Sequence, residues 1–136
     1  MFFRFLALGA IVTSSLATPT VRLSFASFHP TTNEPLQFNM TYYLESHIPL
    51  VESLWGPQGA ASWDIVEFQN PDPFTGESPP YLFQSTVNWN ASQDKIIKAV
   101  LDNVPVTGPD VDRFSNIQPI IWYGNITAGG IVTLKN

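Results

Sequence analysis

His47 is the residue in this chain best placed to do chemistry, because histidine is the side chain whose ordinary pKa lies nearest neutrality. It sits in Phe38–Trp63, FNMTYYLESHIPLVESLWGPQGAASW, four residues after Tyr43. On a helix that spacing stacks the two side chains on one face. A general acid/base role for His47, with Tyr43 as its hydrogen-bond partner, is one expectation; a core histidine bonded to a carbonyl freed by Pro49 is the other. Asn116 and Gln118 border an apolar run near the other end of the chain. Either they line a pocket opposite His47, or Asn116 shapes a turn and Gln118 faces water. Trp55 and Trp63 flank Gly56-Pro57, as core wall or as contacts to a bound molecule.

Other chemistries fail on inventory. The chain has no cysteine and two histidines, His29 and His47, and Asp64 and Glu67 stand at no metal-ligand spacing, so no metal site is expected. Neither a Gly-x-Ser-x-Gly elbow nor a Gly-rich phosphate loop is present. Six basic against eleven acidic residues leave no patch for a phosphate backbone, which excludes nucleic acid as a partner.

The elements that must position these residues follow from periodicity. Val21–Phe28 alternates Val21, Leu23 and Phe25 with Arg22 and Ser24, a half-buried strand, and His29–Pro35 is a loop. Asn39 is the expected cap of a helix reaching about Leu54, with Tyr43, His47, Leu50, Val51 and Leu54 on one stripe. Pro49 predicts a kink near Glu45-Ser46. Ser62–Gln69 and Tyr81–Trp89 read as strands separated by the proline-rich Asn70–Pro80. Asn90, with Gln93 three residues on, predicts a second helix; its stripe is Ile97, Val100, Leu101 and Val104, and Pro105 ends it. An irregular Val106–Ser115 then leads into a last strand, Ile117–Ile126, followed by Gly129–Leu134 as a short extra strand or a frayed end.

The order β-α-β-β-α-β is that of a ferredoxin-like α+β sandwich with a four-stranded antiparallel sheet. The last strand is apolar on both faces, Ile117, Ile121 and Tyr123 against Ile120 and Trp122, whereas helices cover only one face. A homodimer packed sheet to sheet is therefore expected.

The N-terminus predicts secretion. Arg4 precedes the apolar Phe5–Val12, and Ser15 and Ala17 supply the small residues of a cleavage site, so residues 1–17 read as a signal peptide and 18–136 as one domain. The apolar run is about half the ~20 residues a spanning helix needs, so no stable membrane insertion is expected after cleavage. Sequons at Asn39, Asn90 and Asn125 predict glycosylation.

Tyr42-Tyr43-Leu44-x-x-His47-x-Pro49-Leu50-Val51, then Leu54-Trp55-Gly56-Pro57-x-Gly59 and Ser62-Trp63, resembles the EthD family, named for ethyl tert-butyl ether degradation. Phe114-x-Asn116-Ile117-Gln118-Pro119 is similar to the family's approach to its final strand. The resemblance implies a dimeric α+β barrel and an oxidoreductase or accessory protein acting on a small hydrophobic organic compound. No cofactor is expected. A non-catalytic carrier is the alternative and a heme-handling enzyme the third reading. Typical members look like plain intracellular proteins, so the leader is a departure from the family.

Overall fold

The computed structural model describes residues 17–135, so the expected leader, apart from Ala17, lies outside the described residues. Strand β1 is Thr18–Ala26, β2 Ala60–Glu67, β3 Tyr81–Trp89 and β4 Ile120–Ile126. All pair antiparallel in the order β2-β3-β1-β4, the ferredoxin-like arrangement expected. Two helices cover one face. Helix α1 spans 40–55 and α2 is Gln93–Val111. The segment after Ile126 forms no strand.

The strand alternation sorts residues as the sequence predicts. Val21 faces Val87, Leu23 faces Ser85, and Phe25 faces Phe83 across β1 and β3, while Ile121 and Tyr123 extend the same face onto β4. This is the helix-covered face; Val21, Phe25, Phe83 and Val87 are buried on it, while Ile121 on the edge strand stays exposed. Arg22, Gln84, Thr86, Ile120 and Trp122 occupy the opposite face, where Ile120 and Trp122 stand exposed. Two core clusters result. Val21, Val51, Trp55, Val87, Trp89 and Ile96 centre one, and Phe25, Tyr43, Ile48, Phe83, Val111 and Phe114 the other.

Helix α1 begins where Asn39 Oδ1 accepts the Tyr42 N–H at 3.0 Å. The irregularity predicted from Pro49 takes the form of a π-helical stretch, Tyr43–His47, in which the Ile48 N–H bonds to the Tyr43 carbonyl. Ile48–Trp55 then resumes α geometry with Pro49 as its second residue, so the proline follows directly on the π turn instead of interrupting a regular α-helical ladder. A 3₁₀ turn, Gly56–Gln58, leads to Gly59 at φ 114°, a left-handed position. A Cβ there would meet the Asn90 carbonyl oxygen at 2.7 Å, so glycine is required twice over.

Helix α2 departs from expectation at both ends. Its cap is Ser92, which accepts the Lys95 N–H, rather than Asn90. Nor does Pro105 end it: the helix runs through Pro105 and Pro109 to Val111. Each interior proline costs about 3 kcal/mol. Both lie on the exposed side, so the carbonyls they leave unpaired are on the helix's solvent side, and burial of Thr107 and Val111 offsets the cost. The inward stripe is consequently Ile96, Ala99, Val100, Thr107 and Val111, whereas Ile97, Leu101 and Val104 are exposed.

Candidate functional site

A cavity of about 110 Å³ lies between the two helices and the covered face of the sheet. A single water needs only ~10–15 Å³ of such space, so the cavity has room for a small organic molecule. Leu23, Phe25, Val87 and Ile121 supply its floor, and Ile48, Val51, Trp55, Val100 and Val111 its walls. Tyr43, His47, Ser85, Thr107 and Gln118 are the polar residues on it. An apolar cleft with a few convergent polar groups is the usual form of a small-molecule site.

His47 is 6 % exposed at the end of the π-helical stretch. Its Nδ1 lies 2.8 Å from Asp110 Oδ2, a residue in the last turn of α2. The other oxygen, Asp110 Oδ1, accepts the Tyr42 hydroxyl at 2.8 Å and has Arg113 Nε 3.7 Å away. The three side chains thus form a chain from Tyr42 through Asp110 to His47. Neither alternative in the sequence reading named this partner. Tyr43 is not bonded to His47; its ring stacks beside the imidazole at 5.6 Å, and its hydroxyl donates to Ser85 Oγ at 2.8 Å. Ser85 in turn donates to the Asp64 carbonyl.

Burial of the imidazole outweighs its hydrogen bond to Asp110 and the attraction of that carboxylate, and holds the His47 pKa below its ordinary value. Burial also works against the ionised form of Asp110, but the hydrogen bonds from His47 and Tyr42, with the His47 and Arg113 charges, outweigh it and hold the carboxyl below the usual range. The two shifts favour different charge states of His47. The deeper burial of the imidazole, 8 % exposed as a side chain against 14 % for Asp110, makes the resting pair a neutral ring beside a carboxylate. A carboxylate only accepts, so the ring carries its proton on Nδ1 and presents Nε2 as a lone-pair base. Nε2 makes no hydrogen bond among the described residues. Tyr43, pushed up to about 12 by burial, stays protonated.

Of the other expected site residues, Trp55 lines the cavity, buried, with an indole N–H that makes no hydrogen bond among the described residues. Gln118 lines it too, with Nε2 donating to the Gly108 carbonyl and Asp112 Oδ1. Asn116 does not belong to the site. Its Oδ1 accepts the Gln37 N–H at 2.7 Å and its Nδ2 donates to the Pro35 carbonyl, which ties the approach of β4 to the loop before α1. Sequence reasoning missed Asp110 and Tyr42. Among the described residues no group of three or more metal-ligating side chains converges, and no helix is long and apolar enough to cross a membrane.

No protein-family model matches the chain, and no curated protein matches it. Two solved structures do. An EthD-like protein from Ralstonia eutropha JMP134 is 15 % identical, with a TM-score of 0.63 over 79 % of this chain and 90 % of that one. An EthD family protein from Bacillus halodurans C-125 is 9 % identical over 79 % of this chain and 97 % of that one, with a TM-score of 0.37. The first likeness, added to the strand order and the helix-covered sheet, establishes that this chain has an EthD-like fold.

Proposed function

We propose that the protein binds a small, largely apolar organic molecule in the cavity between helices and sheet, and that His47 Nε2 takes a proton from it. The observation that carries this reading is the 2.8 Å contact between Asp110 and Nδ1 of His47, a residue in the wall of an apolar cavity. An acidic C–H or O–H of the ligand loses its proton to Nε2, and the imidazolium formed is stabilised by the Asp110 carboxylate beside it. The ligand is left as a carbanion or phenolate. The proton returns to the same or another atom of the ligand, or the anion leaves as the substrate of a separate oxidising enzyme that supplies its own electron acceptor, the accessory role the EthD resemblance suggests.

The setting we propose is extracellular. Strand β1 begins at Thr18, directly after the expected cleavage point, and Asn39, Asn90 and Asn125 are all exposed, as glycan acceptors must be. Exposed Ile120 and Trp122 on the open sheet face support a homodimer packed through that face.

Deuterium uptake tests the chemistry. Aromatic and 1,3-dicarbonyl compounds incubated in heavy water should exchange an acidic carbon-bound hydrogen faster than the protein-free background with the wild-type protein and only at that background with His47→Gln, while both proteins bind the compound. Binding without exchange in the wild type would make the protein a carrier. A Soret band on titration with heme would replace both readings.

A further inference from the structure

A second apolar concavity adjoins the first. Ile97, Leu101 and Val104 on α2 face Ile121 and Tyr123 on β4 across a groove in which no lining residue is charged. Leu101 is 63 % exposed, and β4 is an edge strand, so the outer side of its backbone has no strand partner among the described residues. The groove and the cavity share Val100, Val104 and Ile121, so whatever fills the groove lies against the cavity's mouth. The segment 127–135, on the other hand, carries Ile131, Val132 and Leu134 at 85–87 % exposure. Three large aliphatic side chains held in water forgo the free energy that burial would give them.

We infer that the segment 127–135 of one copy of this chain lies in the groove between α2 and β4 of a second copy and closes the mouth of that copy's cavity. Residues 127–134, TAGGIVTL, are uncharged, as the groove is, and Ile131-Val132-Thr133 are strand formers suited to an open strand edge. The segment does not turn back on its own strand. A tight hairpin at Gly129-Gly130 would need positive φ, yet among the described residues the positive-φ glycines are Gly59 and Gly76. It runs on from Ile126 instead, and nine extended residues at ~3.3 Å each reach about 30 Å, far enough to leave their own subunit. A reciprocal exchange of this kind is closed by a two-fold axis. Docking stands independently of the ligand, whereas closure of the mouth rests on the cavity being the binding site.

The chain's lack of cysteine makes the test clean. Val132→Cys is mixed with Ile97→Cys, Leu101→Cys or Phe74→Cys and oxidised; all four positions are exposed, so the fold is kept. Disulfide-linked pairs between Val132→Cys and the groove variants, and none with Phe74→Cys, are expected. A Leu101→Cys/Val132→Cys double variant that links only within one chain overturns the inference, as does equal linking at Phe74→Cys or no linking at all. Release of 1-naphthol should be at least tenfold faster from a chain ending at Ala128. Naphthol bound by the full chain and released at the same rate from both overturns closure; naphthol that never binds, with the trans link formed, removes the ligand reading and leaves the docking intact.

Discussion

The two histidines should be found in opposite tautomers, and replacing Asp110 by asparagine should scramble one of them. His29 Nδ1 accepts the backbone N–H groups of Thr31 and Thr32 at 3.1 and 3.2 Å, so its proton sits on Nε2. His47 Nδ1 faces a carboxylate at 2.8 Å, so its proton sits on Nδ1. A hydrogen bond to a charged acceptor contributes ~1.5–3 kcal/mol, and the pair is well buried, so screening is slight. Taking about 2 kcal/mol, the Nδ1–H form is favoured roughly 30-fold. Long-range ¹H–¹⁵N correlation of the imidazole nitrogens at pH above 7 reads both rings in one spectrum, with His29 as the internal control.

In Asp110→Asn the amide has one acceptor and one donor side to divide between Tyr42 and His47. The Tyr42 hydroxyl needs the acceptor, which turns the amide N–H₂ toward His47 Nδ1 and drives the ring to the Nε2–H form. The lone pair on Nε2 is then lost. Proton transfer from a bound ligand should fall ~10²–10⁴-fold, the usual worth of a general base, while the fold loses only about 1–2 kcal/mol because both hydrogen bonds are remade. A wild-type His47 already in the Nε2–H form, or an Asp110→Asn protein whose His47 stays Nδ1–H, would refute the reasoning at its root. A large loss of stability with the tautomer unchanged would assign the pair to the core.

Asn116→Ala should lower unfolding stability by about 1 kcal/mol in urea, because it removes the side-chain bonds to the Gln37 N–H and the Pro35 carbonyl at exposed positions where water replaces them, and should leave ligand affinity unchanged. Val104→Phe, at the half-open lip shared by cavity and groove, should cost less than ~1 kcal/mol of stability and weaken a cavity ligand at least tenfold in a fluorescence titration. The pH dependence has a definite sign. His47 titrates below its unfolded value near 6.5, so the unfolded chain binds the extra proton between the two values; stability is full above 6.5 and falls as pH drops through the folded value. Asp110, whose folded pKa is also lowered, adds a second loss only as pH falls from about 3.8 through its folded value. Proton transfer by His47 should rise with pH across the imidazole's folded pKa, and a rate that falls over that range would contradict a neutral base.

The strands were legible because β-alternation in this chain is nearly free of compromise. Val21, Phe25, Phe83, Val87 and Trp89 lie on one face and Arg22, Gln84, Thr86 and Asn88 on the other, and both the strand pairs and the open face follow from that pattern. The first helix was legible in its cap and its stripe, and Pro49 correctly signalled an irregularity. Its π form was not, since it depends on where the chain accommodates one extra residue in a turn, and the apolar stripe reads the same with or without it.

The second helix failed at Pro105, and the functional site was lost with it. Reading proline as a terminator left Asp110 in irregular chain with no face to assign, so the partner of His47 had no location. The physics that overrides the proline is nonlocal: Thr107 and Val111 bury against α1 and the sheet, Thr107 Oγ1 donates to the Asn103 carbonyl, and Asn103 Nδ2 donates to that of Ala99. Those side-chain bonds bind together turns that proline weakens. Carried one turn beyond Pro105, the periodicity from Ile96 through Val100 and Thr107 to Val111 puts Asp110 on the flank that faces α1, three residues on from Thr107 in the cavity wall. The same extension aligns Ile97, Leu101 and Val104 into an outward stripe instead of an inward one. One misassigned residue thus hid both the carboxylate that sets the tautomer of His47 and the groove that borders the cavity's mouth.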